Sequence, residues 1–343
     1  MTKKKRQRKE RARQERAREH ERQQKLRAVK QEPEELDIPG ILPDPRAMER
    51  MTARIGRIMG EQQFESSEEV QAFVSQYLSE GGGSLEDAPP PTTPLERAQE
   101  LIYDAFDTRD TPKRIKLAEK ALQISEDCAD AYVLLAEETA EDAEEAREHY
   151  EAGTRAGERA LGEEAFTEDA GHFWGILETR PYMRAREGLA HCLWELGRKE
   201  EALEHYQKML ELNPDDNQGI RYELAGCLLN LGYDERLGEL LERYEEEASA
   251  FWIYTRALWA FRQGGASEEA TAVLEEAVQT NPHVAQYLLG WKGFPEALEE
   301  LMDYGEEGEA VSYFVRYLAS WLRTPGAVEW LRENVAEETL ASL

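Results

Sequence analysis

The chain contains no run of about 18 apolar residues, the length a helix needs to cross a bilayer; its longest candidates are short, such as Tyr132 to Ala136. Its start lacks the apolar core of a secretory leader, so secretion is not expected. Only 3 cysteines occur among 343 residues, an odd number that excludes a disulfide framework and points to free thiols in a reducing, cytoplasmic setting. Sustained period-two alternation with β-branched residues is missing, which argues against a sheet. There is no glycine-rich phosphate loop, no nucleophile–base motif and no metal-ligand spacing. The residues therefore point to no catalytic group, no metal site and no cofactor.

Charge is abundant and unevenly spread. The whole chain carries 42 basic and 71 acidic residues, a net −29, yet residues 1–30 hold 14 Lys or Arg against 4 Glu. That leaves a +10 segment joined to a −39 body, and the two should attract each other. Residues 1–32 have almost no large apolar side chains and are expected as a disordered or solvated helical tail. Lys3, Lys4, Lys5, Arg6, Arg8 and Lys9 could neutralise phosphates, which suggests a weak RNA or ribosome contact. Two observations oppose it: the tail has no aromatic residue to stack on bases, and its Glu residues alternate with Arg as in an ion-paired helix. A solubilising or self-docking arm fits the same residues.

A two-helix unit recurs through the body. Leu189-Ala190-His191-Cys192-Leu193-Trp194-Glu195-Leu196-Gly197 returns 35 residues later as Leu224-Ala225-Gly226-Cys227-Leu228-Leu229-Asn230-Leu231-Gly232. One unit is marked by Leu189, Ala190, Gly197, Ala202, Tyr206, Leu210 and Pro214. A later one has Tyr254, Leu258, Phe261, Gly265, Ala270, Leu274, Ala277 and Pro282, and Pro282 stands 68 residues after Pro214, two periods of 34. The small residues let paired helices approach, the glycines end first helices and the prolines stop second ones. This pattern resembles the tetratricopeptide repeat, which implies an all-α, right-handed solenoid over residues 95–332. Cys192 and Cys227 take the same inward position in successive units and are expected buried.

Weaker units open at Ala98 and Ala131. The fragment Cys128-Ala129-Asp130-Ala131-Tyr132-Val133-Leu134-Leu135-Ala136-Glu137-Glu138, followed by the Leu-Ala-x-Cys helix and Leu196-Gly197-Arg198, resembles the suppressor-of-tumorigenicity-seven family over roughly residues 95–290. That family implies helical repeats with no assigned activity, and its animal members are membrane proteins. Lacking an apolar span, this chain resembles a soluble, bacterial-type relative.

In tetratricopeptide units the first helix lines the concave wall. The positions that do so there correspond here to Arg184, Glu187, His191, Trp194 and Glu195, then Tyr222, Leu229 and Asn230, then Trp252, Thr255, Trp259, Arg262 and Gln263. Arg184, His191, Trp194, Tyr222, Asn230, Trp252, Trp259 and Arg262 are the types that anchor a protein or peptide partner. The same rings could equally serve as core or be covered by the chain's own insertion. A peptide-carboxylate clamp is not expected, since His191, Gly226 and Trp259 stand where that clamp uses Asn.

Outside the repeats, Met48, Met51, Ile55, Ile58 and Met59 form one helical stripe, and Val70, Phe73, Val74, Tyr77 and Leu78 a second, predicting a hairpin over 46–80. Ser66 and Glu69 have capping-box spacing. Residues 81–94 read as a linker. An apolar, aromatic insertion at 160–181 is expected to fold against the groove with Trp174 buried and with Glu178 and Arg180 free for polar pairing. An acid–base cluster could start only here, with His172, Glu178 and Arg180 of the insertion and His191 of the following repeat. Asp216 or Asn217 should cap the helix after Pro214. The chain closes with a degenerate unit at His283, a successor near Phe314 and Tyr317, a short helix over 327–332 and a tail at 333–343.

Overall fold

The computed structural model describes residues 45–60, 66, 69–73, 75, 88–295 and 305–335. The chain divides into two units, Met1–Pro45 and Arg46–Leu343, and of the first only Pro45 is described. The basic tail, linker residues 81–87 and residues 336–343 therefore lie outside the described residues. Of the second hairpin helix, 69–73 and 75 are helical, with the Glu69 N–H donating to Ser66 Oγ at 3.2 Å. Val74 and 76–80 lie outside the description.

Every regular element among the described residues is helical: α1 (Pro45–Gly60), α2 (Pro94–Phe106), α3 (Thr111–Ile124), α4 (Ala129–Thr139), α5 (Ala143–Glu168), α6 (Arg180–Glu195), α7 (Lys199–Leu212), α8 (Ile220–Leu231), α9 (Asp234–Arg243), α10 (Ala250–Gly264), α11 (Glu268–Thr280), α12 (Pro282–Leu288), α13 (Glu307–Arg323) and α14 (Ala327–Asn334). Their starts follow local chemistry. Thr93 and Glu96 form a capping box, and Asp110, Asp142, Ser249 and Ser267 each accept an N–H from the first turn they precede. Asp216 is the cap after Pro214, taking the Ile220 and Arg221 N–H groups at 2.7 and 2.9 Å.

From α2 to α11 the helices pair two by two, and each second helix also packs on the first helix of the following unit, giving an uninterrupted helical-repeat solenoid. The expected small residues make this possible: Ala190, Ala202, Ala225, Ala270 and Ala277 are fully buried. Gly188 sits so close to Tyr150 that a Cβ there would lie 2.2 Å from the ring. Gly197 and Gly232 close first helices at φ 80° and 76°, a conformation that favours glycine.

Cys128, Cys192 and Cys227 are free and buried, and burial pushes the Cys192 and Cys227 thiols up to about 11 and about 12.

The insertion differs in detail from its expectation. Helix α5 runs through most of it, past a kink at Gly162, and a turn follows in which Gly171 and Phe173 N–H donate to Leu212 O at 3.0 and 3.1 Å. The enclosed ring is Phe173, wedged between Phe166 and Tyr182 at 5.3 and 6.1 Å, while Trp174 is half-buried beneath the Arg180 guanidinium. At the other end α14 runs to Asn334 instead of 332. Helix α13 does not extend the stack; it turns back over earlier units.

Candidate interaction surface

The first helices α2, α4, α6, α8 and α10 share one face of the solenoid, and two helices of this chain lie on it. Helix α1 crosses α2, α4 and α6 with its charged side inward. Arg46 Nη1 donates to both carboxylate oxygens of Glu137 at 3.0 and 3.1 Å. Arg50 reaches Glu100, Asp104 and Asp107 at 3.3, 2.9 and 2.9 Å, and Arg57 reaches Glu100 at 2.6 Å and Pro89 O at 3.0 Å. One carboxylate answers from the helix: Glu49, buried, accepts from Arg184 at 2.9 and 3.0 Å and from Arg180 at 3.2 Å. Arg184 also grips Asp130 at 2.9 and 2.7 Å, and Asp130 takes Gln99 Nε2 at 2.8 Å. Burial alone would lower the Arg184 pKa; Asp130 and Glu49 outweigh it and raise it.

Helix α13 covers α8, α10 and α12. Tyr313 and Tyr317 stack on each other and stand edge-on to Phe251 at 5.7 and 6.0 Å. The Tyr317 hydroxyl donates to Tyr222 O at 2.8 Å over Gly226, which leaves room for the ring. Buried Glu309 fastens the start of the helix, accepting from Ala250 N, Asn281 Nδ2 and Gly305 N at 2.9, 3.0 and 2.8 Å. Its charge lies at the N-terminus of α10, where the helix dipole favours it.

The residues expected on the wall thus meet different fates. Arg184 is enclosed by α1. The Tyr222 carbonyl and the Asn230 side chain, which takes Ser320 and Arg323, are engaged by α13. Trp252 is fully buried among Tyr222 and Tyr244. Trp259 turns toward α9, donating Nε1 to Asp234 O at 2.8 Å, and Arg262 spans Leu229 O and Asp234, each at 2.9 Å. Between the two crossing helices, His191 remains 47% exposed with Glu223 at 3.9 Å, and Arg316 of α13 pairs with that same Glu223. Trp194 is half-buried with Lys199 Nζ 3.7 Å above its ring.

Burial pushes the nearby Glu187 carboxyl up to about 7, with Glu223 and Asp216 adding to the effect and the Gln218 amide opposing it. His191 is lowered by burial, with Glu223 opposing.

Glu49, Asp130 and Glu309 escaped the repeat pattern, because each acts through a partner far away in the chain; α13 falls on the unit expected near Phe314 and Tyr317, but the repeat pattern gave no sign of its packing over α8 and α10. His172 and Glu178 are exposed, and no hydrogen bond or ion pair joins them to each other or to His191 among the described residues. Lys3, Lys4, Lys5, Arg6, Arg8 and Lys9 lie outside the description. No group of His, Cys, Asp and Glu among the described residues is arranged to hold a metal, and no described helix is long and apolar enough to cross a membrane.

Comparison with known proteins gives these features a family. The rat suppressor of tumorigenicity 7 protein-like is 31% identical over 260 residues, covering 69% of this chain and 46% of its own length. The human protein of that name is 30% identical over 260 residues, with 69% and 45% covered, and the Drosophila melanogaster ST7 homolog 28% over 257 residues, with 68% and 47%. The chain thus spans a little under half the length of these relatives. Among solved structures, YrrB, titled a TPR protein with an unusual peptide-binding site, aligns at a TM-score of 0.37 and 20% identity over 54% of this chain and 84% of its own. The model of the ST7 protein family matches residues 92–341, well beyond the Cys128–Arg198 segment that carries the resemblance, and the chain belongs to that family.

Proposed function

We propose that the protein is a non-enzymatic, cytoplasmic interaction scaffold whose first-helix wall takes up a helix or extended peptide from a protein partner. The observation that carries this reading is that the wall already receives two helices in cis, α1 through Arg–carboxylate ion pairs and α13 through aromatic packing. A surface that seats helices of both kinds has the shape and the polar groups to seat another. The stretch left between them, with His191, Trp194, Glu195, Glu223 and Arg316, is the part open to a partner in the state described. Arg184 joins it only when α1 moves aside. Tyr222, Asn230, Trp252, Trp259 and Arg262 act behind the surface, holding α13 and the neighbouring helices in place. Three buried thiols in a chain of this size suit a reducing compartment.

The test is partner capture by the full chain, by Trp194→Ala, by His191→Glu and by a chain lacking residues 1–45, each at low and moderate salt. Truncating a ring that anchors an interface costs about 2 kcal/mol, roughly thirtyfold in affinity. The reading expects the same partner to be lost by the two point variants and kept without the tail. A partner indifferent to both substitutions but lost with residues 1–45 would overturn it and move the function to the basic segment.

A further inference from the structure

Helix α1 docks the wrong way round for an ordinary amphipathic helix. Arg46, Glu49, Arg50, Ala53 and Arg57 share one face by helical spacing, and this is the face set against the solenoid. The apolar stripe Met48, Met51, Ile55, Ile58 and Met59 lies on the opposite side, where Met48 is 56% exposed and the other four are half-buried. Among the described side chains of α1, Ala53 is the one apolar group that packs against the apolar cluster of the first units. A cavity of about 660 Å³ opens beside it, between Ala53, Gly56, Leu95, Tyr103, Ile176 and Tyr182, so the helix stands off the wall instead of filling it. Among the described residues, what holds α1 to the wall is charge.

The wall is complete without the helix on one side of the contact and incomplete on the other. If Glu49 left, Arg184 would keep its two bonds to Asp130, and Asp130 its bond from Gln99. Glu100, Asp104 and Asp107, in contrast, lie three and four residues apart along α2 and take their cations from Arg50 and Arg57 alone among the described residues. Stripped of α1, they would form a bare acidic stripe, and like charges at that spacing are unfavourable. The wall therefore demands a cationic occupant.

We propose that the wall formed by α2, α4 and α6 is a receptor for a basic helix carrying arginine at positions i, i+4 and i+11 and a carboxylate at i+3, and that α1 is its displaceable cis ligand. This deepens the scaffold reading and rests on it, naming the kind of partner and the competitor it must replace. Recognition comes from the fork of Arg184 on the helix carboxylate, which is specific in geometry, and from the bridging of α2 carboxylates by helix arginines, contacts that are partly exposed, individually weak and screened by salt. Such a contact lets a trans helix of the same pattern exchange with α1 while the apolar core of the repeats stays untouched.

A labelled peptide of residues 45–60 is the probe, titrated into the full chain and into a full-length Arg46→Glu, Arg50→Glu, Arg57→Glu variant whose own helix is repelled. The variant is expected to bind the peptide at least tenfold more tightly than the natural chain at 50 mM salt, with affinity falling as salt is raised. Asp104→Lys and Asp107→Lys added to that variant should abolish binding, and a peptide with its arginines changed to glutamate should not bind. A folded variant that ignores the peptide overturns the proposal.

Hydrogen exchange on the unaltered full chain tests it without relying on the variant. Amides of α1 should exchange at least tenfold faster in 500 mM than in 50 mM salt, with those of α6 and α8 unchanged. Protection of α1 equal to that of the repeats at both salts would make it a fixed part of the fold. If that happens while Trp194→Ala still loses its partner, the scaffold reading stands and only the cis-ligand proposal falls.

Discussion

Replacing Arg184 by methionine should be far more damaging than removing Glu49, one of the two carboxylates it serves. Methionine keeps most of the stem's volume, so the change isolates the guanidinium. Its loss strands Asp130, fully buried, and Glu49, nearly so; Asp130 retains the Gln99 amide at 2.8 Å and Glu49 retains Arg180 at 3.2 Å. Breaking a buried pair by removing one partner costs about 3–5 kcal/mol, because the remaining charge stays desolvated. Glu49→Ala, in contrast, leaves Arg184 with both bonds to Asp130 and should cost about 1–2 kcal/mol. Urea unfolding of the full chain at pH 7, followed by circular dichroism, gives both numbers. A deficit under about 1 kcal/mol would refute the view that Arg184 neutralises two buried carboxylates.

Glu187 has its folded pKa raised to about 7, so its ionised form is disfavoured in the fold; the stability it contributes is present below its unfolded value and is lost as pH rises through 7. Glu187→Gln should match the natural protein near pH 4.5 and exceed it by about 1–2 kcal/mol at pH 8 in thermal or urea unfolding. Glu309→Ala removes the acceptor of Ala250 N, Asn281 Nδ2 and Gly305 N and should cost about 2–4 kcal/mol, with hydrogen exchange speeding up first in α13; unchanged exchange there would sink the role given to that carboxylate. Cys192 and Cys227 should resist a thiol reagent in native buffer and react once denatured, since both are buried and their thiols are raised. Binding of RNA by the full chain should be weak, indifferent to sequence and lost near physiological ionic strength; tight binding there that disappears with residues 1–32 would favour a ribosome-associated role.

Local chemistry written in the sequence determined the helices, their ends and their stacking. The recurrence of Leu189–Gly197 at Leu224–Gly232 sets the unit, buried alanines let its helices touch, and glycines at φ near 80° close them, all within a few residues. The cap at Asp216 and the burial of the cysteines follow from the same short-range logic. The tertiary structure alone decided which wall residues face outward. Glu49 meets Arg184 across 135 positions and Arg316 meets Glu223 across 93, and in sequence such residues look like solvated surface charge. The apolar stripe of α1 suggests an inward apolar face, yet the helix turns its arginines in, because three carboxylates of α2 take their cations there and from no other described residue. Periodicity shows which residues share a face; what that face meets depends on where distant segments come to rest, and their charges find partners only once the solenoid has brought them together.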